Sequence, residues 1–382
     1  MDTTMYVDLQ ESRKQIDEID AKLVELFEKR MEVASNVGDY KLATGKAVFD
    51  RERENQKIAA VTAMSDNEFN RKCIGELFEH IMAMSRKLQY SKLESRSADS
   101  KLEPYEVLDK IDTDNVTVAY QGVEGAFSHE ATLGFFGDDT KTVGVTTFRE
   151  AMELVSDGRA DYAVIPIDNS SAGIVSDTYD LLQEYNNYIV AETFVKVDQC
   201  LLIKPGADLS QIKKVYSHPQ GLMQCAGYLE NHKDWEQIPY LNTAMSAKKI
   251  SEEDDLTQAA IASAKCADRY GLVVAAPSIN SQTANTTRFV VVSRKRAFVK
   301  DATKVSICFE VEHKAGSLYN VISHIRFNGL NMTKIESRPI KEHNWEFRFY
   351  VDFEGNLNDA GVRNALRGIS EESNMMKLLG NY

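Results

Sequence analysis

The strongest constraint on the fold of this chain is a change in the spacing of its apolar residues near residue 100. Over residues 9–90 they recur at intervals of three and four with almost no strand pattern, which predicts three α-helices. From Val116 onward, short β-rich segments alternate with helical stretches, which predicts an α/β fold. The 382 residues exceed one ordinary core, so about two to three domains are expected.

The predicted domains form a multidomain chain with three fold classes. An all-α helical block covers residues 1–95, and a polar linker containing Pro104 covers residues 96–115. An α/β block covers residues 116–295. A third block, residues 303–382, has the order strand, helix, strand, strand, helix, strand, which is the ferredoxin-like α+β pattern. Its central strands are expected to join through a loop at Pro339–Asn344.

Within the α/β block, the sequence predicts parallel strands with both faces covered. The predicted strands are Val116–Tyr120, Tyr162–Ile167, Ile189–Thr193 and Phe289–Val292. The predicted helices are Ser128–Phe136, Thr147–Asp157, Val175–Glu184, Gly221–His232 and Thr257–Tyr270.

The net charge of −13 opposes generic nucleic-acid binding, so an anionic ligand would need cations concentrated in a pocket. The five cysteines are far apart and odd in number, which predicts buried free thiols rather than disulfides. The chain has no signal-peptide pattern and no apolar run of membrane-spanning length, so we expect a cytoplasmic protein. No histidine pair has metal-ligand spacing, and we therefore expect no metal.

Charged residues interrupt the apolar stripe of the first predicted helix. Arg30 and Lys41 fall inside a stripe that otherwise contains Ile16, Leu23 and Phe27, and burying cations is costly unless they meet anions. Further polar residues share faces of the next two helices: Asp50, Arg53 and Glu54 on the second, and Ser85 and Gln89 on the third. The alternative is that the cations snorkel from a coiled-coil seam and that Ser85 and Gln89 are satisfied core residues.

Together with Arg13, these residues resemble in type and spacing the polar set of the all-helical chorismate mutases, over about the first 90 residues. The resemblance implies an intertwined dimer in which Arg13 is lent to the neighbouring subunit. It assigns Arg13, Arg30 and Arg53 to the substrate carboxylates, with help from Ser85. Lys41 and Gln89 are assigned to the ether oxygen, and Asp50 and Glu54 to orienting and hydroxyl contacts.

Four short motifs stand at predicted strand ends in the α/β block. They are Gln121–His129, Asp168–Gly173, Tyr216–Gln220 and Thr286–Phe289. Each alone is as readily a turn or a helix cap. The glycine spacing in the first lacks the dinucleotide fingerprint, and no phosphate-binding loop occurs, so no cofactor is predicted.

Taken together, the four motifs resemble prephenate dehydratase over residues 116–295, although Asp168 stands where Glu is usual. The resemblance implies two α/β lobes around a cleft, with Thr287 as general acid and Arg288 holding a carboxylate beside Phe289. Asn169, Ser170, Ser217, Thr243 and Ser246 are further expected substrate contacts, although each could cap a helix instead. His129 and His218 could be core residues or alternative acids.

The third block resembles an ACT regulatory domain. Glu336, Ser337, Arg338 and Pro339 match the phenylalanine-binding element of that family. The partner element begins Gly316, Ser317, Leu318, but Tyr319 and Ser317 leave the effector amino acid open.

These resemblances together imply a bifunctional chorismate mutase/prephenate dehydratase of phenylalanine biosynthesis, acting on chorismate and prephenate as a homodimer or higher homo-oligomer under phenylalanine feedback. Two alternatives remain at this stage. One is a non-catalytic amino-acid sensor, which the mutase charges oppose. The other is a mutase fused to prephenate dehydrogenase, which the missing dinucleotide fingerprint opposes.

Overall fold

The computed structural model describes residues 8–96, 105–282, 284–340 and 346–382. Its helices, in chain order, are α1 Leu9–Thr44, α2 Arg51–Thr62, α3 Glu68–Arg96, α4 Phe127–Phe136, α5 Phe148–Ser156, α6 Ser176–Glu184, α7 Pro219–Gln224, α8 Ala226–Leu229, α9 Thr243–Glu252, α10 Ala264–Tyr270, α11 Ser317–Phe327 and α12 Ala360–Glu372. Among these described helices, none combines the length and apolar character that crossing a bilayer requires.

The strands, in the same order, are β1 Glu106–Leu108, β2 Thr117–Gln121, β3 Lys141–Val145, β4 Tyr162–Asn169, β5 Gly173–Ile174, β6 Tyr188–Lys196, β7 Cys200–Ile203, β8 Lys214–Ser217, β9 Glu236–Pro239, β10 Gln258–Ala262, β11 Val273–Ala276, β12 Thr286–Ser293, β13 Ala297–Val299, β14 Lys304–Glu310, β15 Met332–Pro339, β16 Phe347–Glu354 and β17 Met375–Asn381.

The chain divides into two compact units. The first contains residues 1–103 and 309–376, and the second contains residues 104–308 and 377–382. The helical block therefore shares its unit with most of the C-terminal block.

The first unit is built on three helices, as the apolar spacing predicts. The Asp8 carboxylate caps α1 by accepting from the backbone N–H groups of Gln10 and Glu11, and Gly45 ends the helix with φ of 69°. The long helix α3 packs against α1 and α2, and also against α11 and α12. The apolar stripe of α1 stays exposed within this chain, with Leu23 54% and Leu26 62% exposed.

The C-terminal elements have the predicted order βαββαβ. β15 and β16 pair antiparallel, and Arg348 on β16 donates through Nη2 to Glu310 at the end of β14 at 2.6 Å. The backbone N–H of Asn374, just before β17, donates to the Glu310 carbonyl. Residues 341–344 of the predicted loop Pro339–Asn344 lie outside the described residues.

The second unit has two larger sheets that form two lobes, and a separate two-stranded sheet of β1 and β13. In one sheet β6, β12, β4, β2 and β3 are neighbours in that order, and in the other the order is β11, β7, β10, β8, β9. The prediction of parallel strands fails at β12, at β7 and at the short β5, which pairs antiparallel with β4. β12 is antiparallel to both β4 and β6, and β7 is antiparallel to β10. Because β12 reverses direction, its first residues lie beside the last residues of β4.

Three local predictions differ from the structure. The predicted helix Thr257–Tyr270 is strand β10 followed by the shorter α10, because the alanine-rich run is fully buried between β7 and β8 and its small side chains suit that position. The predicted helix Gly221–His232 breaks at Cys225 into α7 and α8. The predicted linker contains β1, which pairs in parallel with β13.

Candidate functional site

The first unit encloses a cavity of about 360 Å³ where α1, α2 and α3 meet. Seven of the eight residues predicted in the helical block line it: Arg30, Lys41, Asp50, Arg53, Glu54, Ser85 and Gln89. Apolar side chains close the rest of the wall: Val33, Ala34, Val37, Val48 and Met82. Ser85 and Gln89 are buried and face a ligand with little competition from water, whereas Asp50 and Arg53 are exposed.

Two cations from α1 are fixed by neutral acceptors. Arg30 donates through Nη1 to Ser85 Oγ at 2.6 Å, and Lys41 donates through Nζ to the Val48 carbonyl at 2.6 Å. Burial lowers the pKa of Lys41, while the carboxylates of Asp50 and Glu54 oppose that shift. Burial likewise lowers the pKa of Arg30 against the opposing charge of Glu54. Both cations are thus partly desolvated and held for a negative ligand.

The start of α2 and the far end of α3 supply the other polar groups. Asp50 caps α2 by accepting from the Arg53 backbone N–H at 3.0 Å, which presents Arg53 and Glu54 in the first turn. Gln89 is 6% exposed, and its Oε1 has no hydrogen-bond partner among the described residues. A Cβ on Gly38 would lie 3.0 Å from Gln89 Cγ, so the glycine permits the close approach of α1 and α3. The unpartnered amide oxygen is a site for a bound donor or water.

Arg13 is the predicted residue that does not reach this cavity. It lies near the start of α1, where its side chain is exposed. The exposed stripe of the same helix includes Ile16, Ile19 and Leu23.

Arg86 lines the cavity although the sequence reasoning did not select it. It is 5% exposed, bonds Glu54 through Nη1, and donates through Nε to Glu372 Oε1 at 2.7 Å. Burial alone would lower the pKa of Arg86, but the carboxylates of Glu372 and Glu54 outweigh it and raise the pKa. The available sequence signal is that Arg86 adjoins Ser85, a predicted site residue. Its partner Glu372 is too distant in sequence to anticipate.

The second unit holds a larger cavity, of about 630 Å³, between its two lobes. Four predicted residues line it: Asn169, Thr243, Thr287 and Phe289. The lining also includes three polar residues of the predicted motifs that were given no individual role, Gln121, Ser128 and Gln220. Ser176, Asp177, Gln199, Gln224 and Asn242 line it as well, and the sequence reasoning did not select them.

Thr287 is held with its proton available to a ligand. Asn169 Oδ1 accepts from the backbone N–H groups of Ser171 and Ala172, so its amide orientation is fixed. Asn169 Nδ2 then donates to Thr287 Oγ1 at 2.9 Å. Because that oxygen already accepts a hydrogen bond and donates none to the described residues, the hydroxyl proton is free to point into the cavity. The antiparallel register, with Thr287 opposite Asn169, creates the pair.

Helix N-termini supply positive potential where the lining residues include no lysine or arginine. α4, α6 and α9 each begin at the cavity, through Phe127 and Ser128, Ser176 and Asp177, and Thr243. The first two helices have no side-chain cap. Unpaired N–H groups at such ends bind carboxylates well. Sequence patterns locate helix starts, but not their convergence.

Four of the predicted contacts of this region lie outside the cavity. Arg288 alternates with Thr287 along β12, and its guanidinium binds Glu192 Oε2 at 2.7 Å and Asp168 Oδ2 at 3.4 Å. The other three residues are serines whose hydroxyls donate to backbone carbonyls. Ser170 donates to Ala284 at 2.9 Å, Ser217 to Ile261 at 2.8 Å and Ser246 to Asn242 at 2.8 Å. Arg288 therefore anchors the end of β4 that carries Asn169.

The two histidines occupy different places. His218 lines the cavity, and its Nδ1 accepts from the Gln220 backbone N–H at 3.3 Å, which leaves Nε2 as the N–H donor. Burial lowers the pKa of His218, so the ring is neutral near pH 7. His129 packs against Tyr120 and does not line the cavity.

The predicted effector elements occupy two places in the first unit. Gly316 precedes α11 with φ of 79°, and Ser317 and Leu318 line a cavity of about 320 Å³ with Phe347 and Phe349. Glu336, Ser337, Arg338 and Pro339 end β15 and do not line that cavity. In the parts of the chain that the structure describes, no cluster of three or more His, Cys, Asp or Glu side chains could hold a metal ion.

Comparison with known families matches two parts of the chain. Residues 12–90 match the family described as chorismate mutase type II, and residues 118–297 match the family described as prephenate dehydratase. All residues that line the first cavity fall in the first range, and all residues that line the second cavity fall in the second range. Glu372, which binds Arg86 behind the first cavity, lies outside both ranges.

Individual proteins resemble the chain over most of its length. The bifunctional chorismate mutase/prephenate dehydratase of Escherichia coli K12 is 33% identical over 376 residues, covering 97% of this chain and 95% of that protein. The prephenate dehydratase of Arthrobacter aurescens, solved in complex with L-Phe, is 31% identical with a TM-score of 0.65, over 70% of this chain and 89% of that one. The quorum-quenching acylase GqqA is 30% identical with a TM-score of 0.64, and the match covers 70% of this chain and 97% of that one.

Proposed function

This chain belongs to the family of bifunctional chorismate mutase/prephenate dehydratases, and we propose that its first cavity rearranges chorismate and its second dehydrates prephenate. The observation that carries the assignment is the convergence of seven predicted polar residues on one cavity, with the fixed Asn169–Thr287 pair in the other. Prephenate released by the first site is the substrate of the second.

In the first cavity the reaction is a Claisen rearrangement, which needs a compact substrate conformer and stabilisation of charge that separates across the breaking ether bond. We assign Arg30 and Arg53 to carboxylates, with Ser85 in support, and Lys41 and Gln89 to the ether oxygen. Asp50 and Glu54 orient the cations and the substrate hydroxyl. Preorganised donors in a partly dry cavity suit this chemistry because they need little reorganisation.

In the second cavity prephenate loses carbon dioxide and its hydroxyl while the ring becomes aromatic. Thr287 is proposed to donate a proton to the departing hydroxyl, since Asn169 occupies an acceptor site of its oxygen. The N-termini of α4, α6 and α9 are proposed to hold the substrate carboxylates in place of Arg288. His218 is a second donor to the substrate through Nε2.

We also propose a homodimer in which α1 buries its apolar stripe against a second copy. Its support is the exposure of Leu23, Leu26 and Val33 on one helix, together with Arg13 lying outside its own cavity. Arg13 would then complete the partner's site. Sedimentation equilibrium of the full chain should give a dimer or larger species, and a monomer at micromolar concentration would contradict the proposal.

The C-terminal block is proposed to be an ACT regulatory domain that binds phenylalanine. Its βαββαβ order and the L-Phe complex of the Arthrobacter relative support this. Because Glu336–Pro339 do not line the cavity that Ser317 lines among the described residues, binding between subunits is the arrangement we propose.

Calorimetry of the full chain should detect L-phenylalanine binding, and the ligand should inhibit the dehydratase. Bound phenylalanine must favour a less active state of the dehydratase, and such allosteric coupling is usually about 1 to 3 kcal/mol. L-Tyrosine and L-tryptophan serve as matched ligands, since Ser317 and Tyr319 leave effector choice open. No L-phenylalanine binding at millimolar concentration would refute this mechanism. Truncation is a poor substitute because residues 377–382 belong to the second unit.

The proposed domain boundaries remain 1–95 for the mutase, 96–115 for the linker, 116–295 for the dehydratase and 303–382 for the regulatory block. We propose that no cofactor takes part, since neither the rearrangement nor the dehydration with loss of carbon dioxide needs an external oxidant or reductant. A cytoplasmic location is proposed because the cysteines are all free thiols, four of them buried.

The function is tested by supplying the purified chain with chorismate alone. Phenylpyruvate absorbance should appear without nicotinamide, after transient prephenate. A product that forms only with added nicotinamide would favour the dehydrogenase alternative, and binding without turnover would favour a sensor.

A further inference from the structure

Arg86 is surrounded by anions from two parts of the chain. It lies on α3, and its guanidinium carbon is 4.8 Å from the centre of the Phe49 ring. Nη1 bonds Glu54 Oε2 in the first cavity, while Nε and Nη2 bind Glu372 Oε1 and Oε2 at 2.7 and 3.2 Å. All three nitrogen atoms therefore contact carboxylates.

Glu372 is the last residue of α12, in the C-terminal block. Its Oε1 also contacts His324 Nε2 on α11 at 2.9 Å. Both carboxylate oxygens are thus engaged, and the side chain is 5% exposed. Burial alone would raise the pKa of Glu372, but the hydrogen bond to His324 and the charge of Arg86 hold it below its usual value. A two-pronged Arg–carboxylate pair of this kind fixes the guanidinium plane.

Glu54 depends on this arrangement because Arg86 is its hydrogen-bond partner among the described residues. Its other carboxylate oxygen is then left for the cavity. If Glu372 lost its charge, Arg86 would stay buried with one anion where it had two, and a buried cation in that position turns toward any remaining acceptor or water. Glu54 would move with it.

We infer that α12 of the C-terminal block completes the chorismate mutase site, with Arg86 as a positioning residue that holds Glu54 and Glu372 as the group that orients Arg86. This rests on the proposed mutase function of the first cavity. Arg86 acts through Glu54 and is not a substrate ligand, because its nitrogens are already bound to carboxylates. The mutase chemistry then requires residues nearly three hundred positions away in the sequence.

Full-chain Glu372→Gln, which preserves side-chain shape, tests the inference by steady-state mutase kinetics. We expect kcat to fall on the order of tenfold, the size of coupling in one hydrogen-bonded network, with a smaller change in KM. In a Glu54→Gln background the same substitution should lower kcat by less than about twofold, because its effect runs through Glu54. Dehydratase activity should stay unchanged.

The matched control is Glu310→Gln. It breaks another partly buried Arg–Glu pair of the same unit, with Arg348, and touches neither cavity. It should leave the mutase rate intact. The inference would be overturned if Glu310→Gln and Glu372→Gln lowered the mutase rate equally. It would also be overturned if Glu372→Gln lowered the rate equally in the parent and in the Glu54→Gln background. Either result would indicate general destabilisation, which thermal melting would also detect.

Arg86→Lys gives a second route to the same conclusion. Lysine keeps the charge but cannot bind two carboxylates in a fixed plane, so it should resemble Glu372→Gln and not the parent. If Glu54→Gln impairs the mutase while Glu372→Gln and Arg86→Lys do not, this inference alone fails. If Glu54→Gln also has no effect, the assignment of Glu54 to the mutase site fails with it, whereas the mutase function of the cavity is tested separately by Lys41→Ala.

Discussion

Replacing Lys41 by alanine is expected to abolish chorismate rearrangement while prephenate dehydration survives. Lys41 Nζ is held at 2.6 Å from the Val48 carbonyl inside the first cavity, where we assign it to the ether oxygen. Loss of one preorganised donor to developing charge costs about 2.7 to 4 kcal/mol in the transition state. The mutase kcat should therefore fall roughly a hundredfold or more, measured by loss of chorismate absorbance.

Lys46→Ala is the matched control for that variant. Lys46 follows α1 by two residues, is exposed, and does not line the cavity, so its removal takes away the same charge without the donor. Both variants should dehydrate supplied prephenate normally. Near-parental rearrangement by Lys41→Ala would remove Lys41 from the mechanism.

Replacing Thr287 by alanine should stop phenylpyruvate formation and spare the mutase. The hydroxyl is 8% exposed, accepts from Asn169 at 2.9 Å and keeps its proton for the substrate. General acid catalysis by a positioned group contributes about 10²- to 10⁴-fold, and a loss of that size is expected in kcat. Prephenate affinity should change little, because the carboxylate sites that we propose are the helix N-termini and not Thr287.

Two further variants separate the hydroxyl from the fold. Thr287→Ser keeps the oxygen and should retain substantial activity. Thr286→Ala changes the preceding side chain, which does not line the cavity, and should dehydrate at close to the parent rate. If Thr287→Ala does the same, His218, whose Nε2 also serves the cavity, becomes the next acid to test.

The sequence predicts the first site better than the second, for a geometric reason. Helical spacing fixes which residues share a face, so Arg30 and Lys41, or Ser85 and Gln89, can be grouped from their positions in the chain alone. Arg13 is the exception: it does not line the cavity of its own chain, and the place proposed for it in a second copy is not contained in helical spacing. Sequence reasoning misses Arg86 because the carboxylate that orients its side chain belongs to Glu372, in a block that sequence patterns treat as a separate domain.

The second site is assembled from many short elements. Residues that are adjacent in a sequence motif need not point into the same cavity, so the motifs predict more substrate contacts than the structure brings together. Thr287 and Arg288 are adjacent in sequence but point to opposite faces of β12, since strands alternate their side chains. Ser217 and Ser246 were reasonable contacts by residue type, yet both satisfy backbone carbonyls in the core. The convergence of three helix starts on the cavity is a tertiary property that no local pattern contains.

Mixing the two inactive variants tests the central claim, that one chain carries two separate sites, most directly. Lys41→Ala alone should not consume chorismate, and Thr287→Ala alone should stop at prephenate. Combined in equal amounts with chorismate and no cofactor, the two proteins should form phenylpyruvate, because prephenate from one is dehydrated by the other. If either variant lacks both activities while folded, or the mixture forms no phenylpyruvate, the assignment of the two reactions to two independent cavities is contradicted.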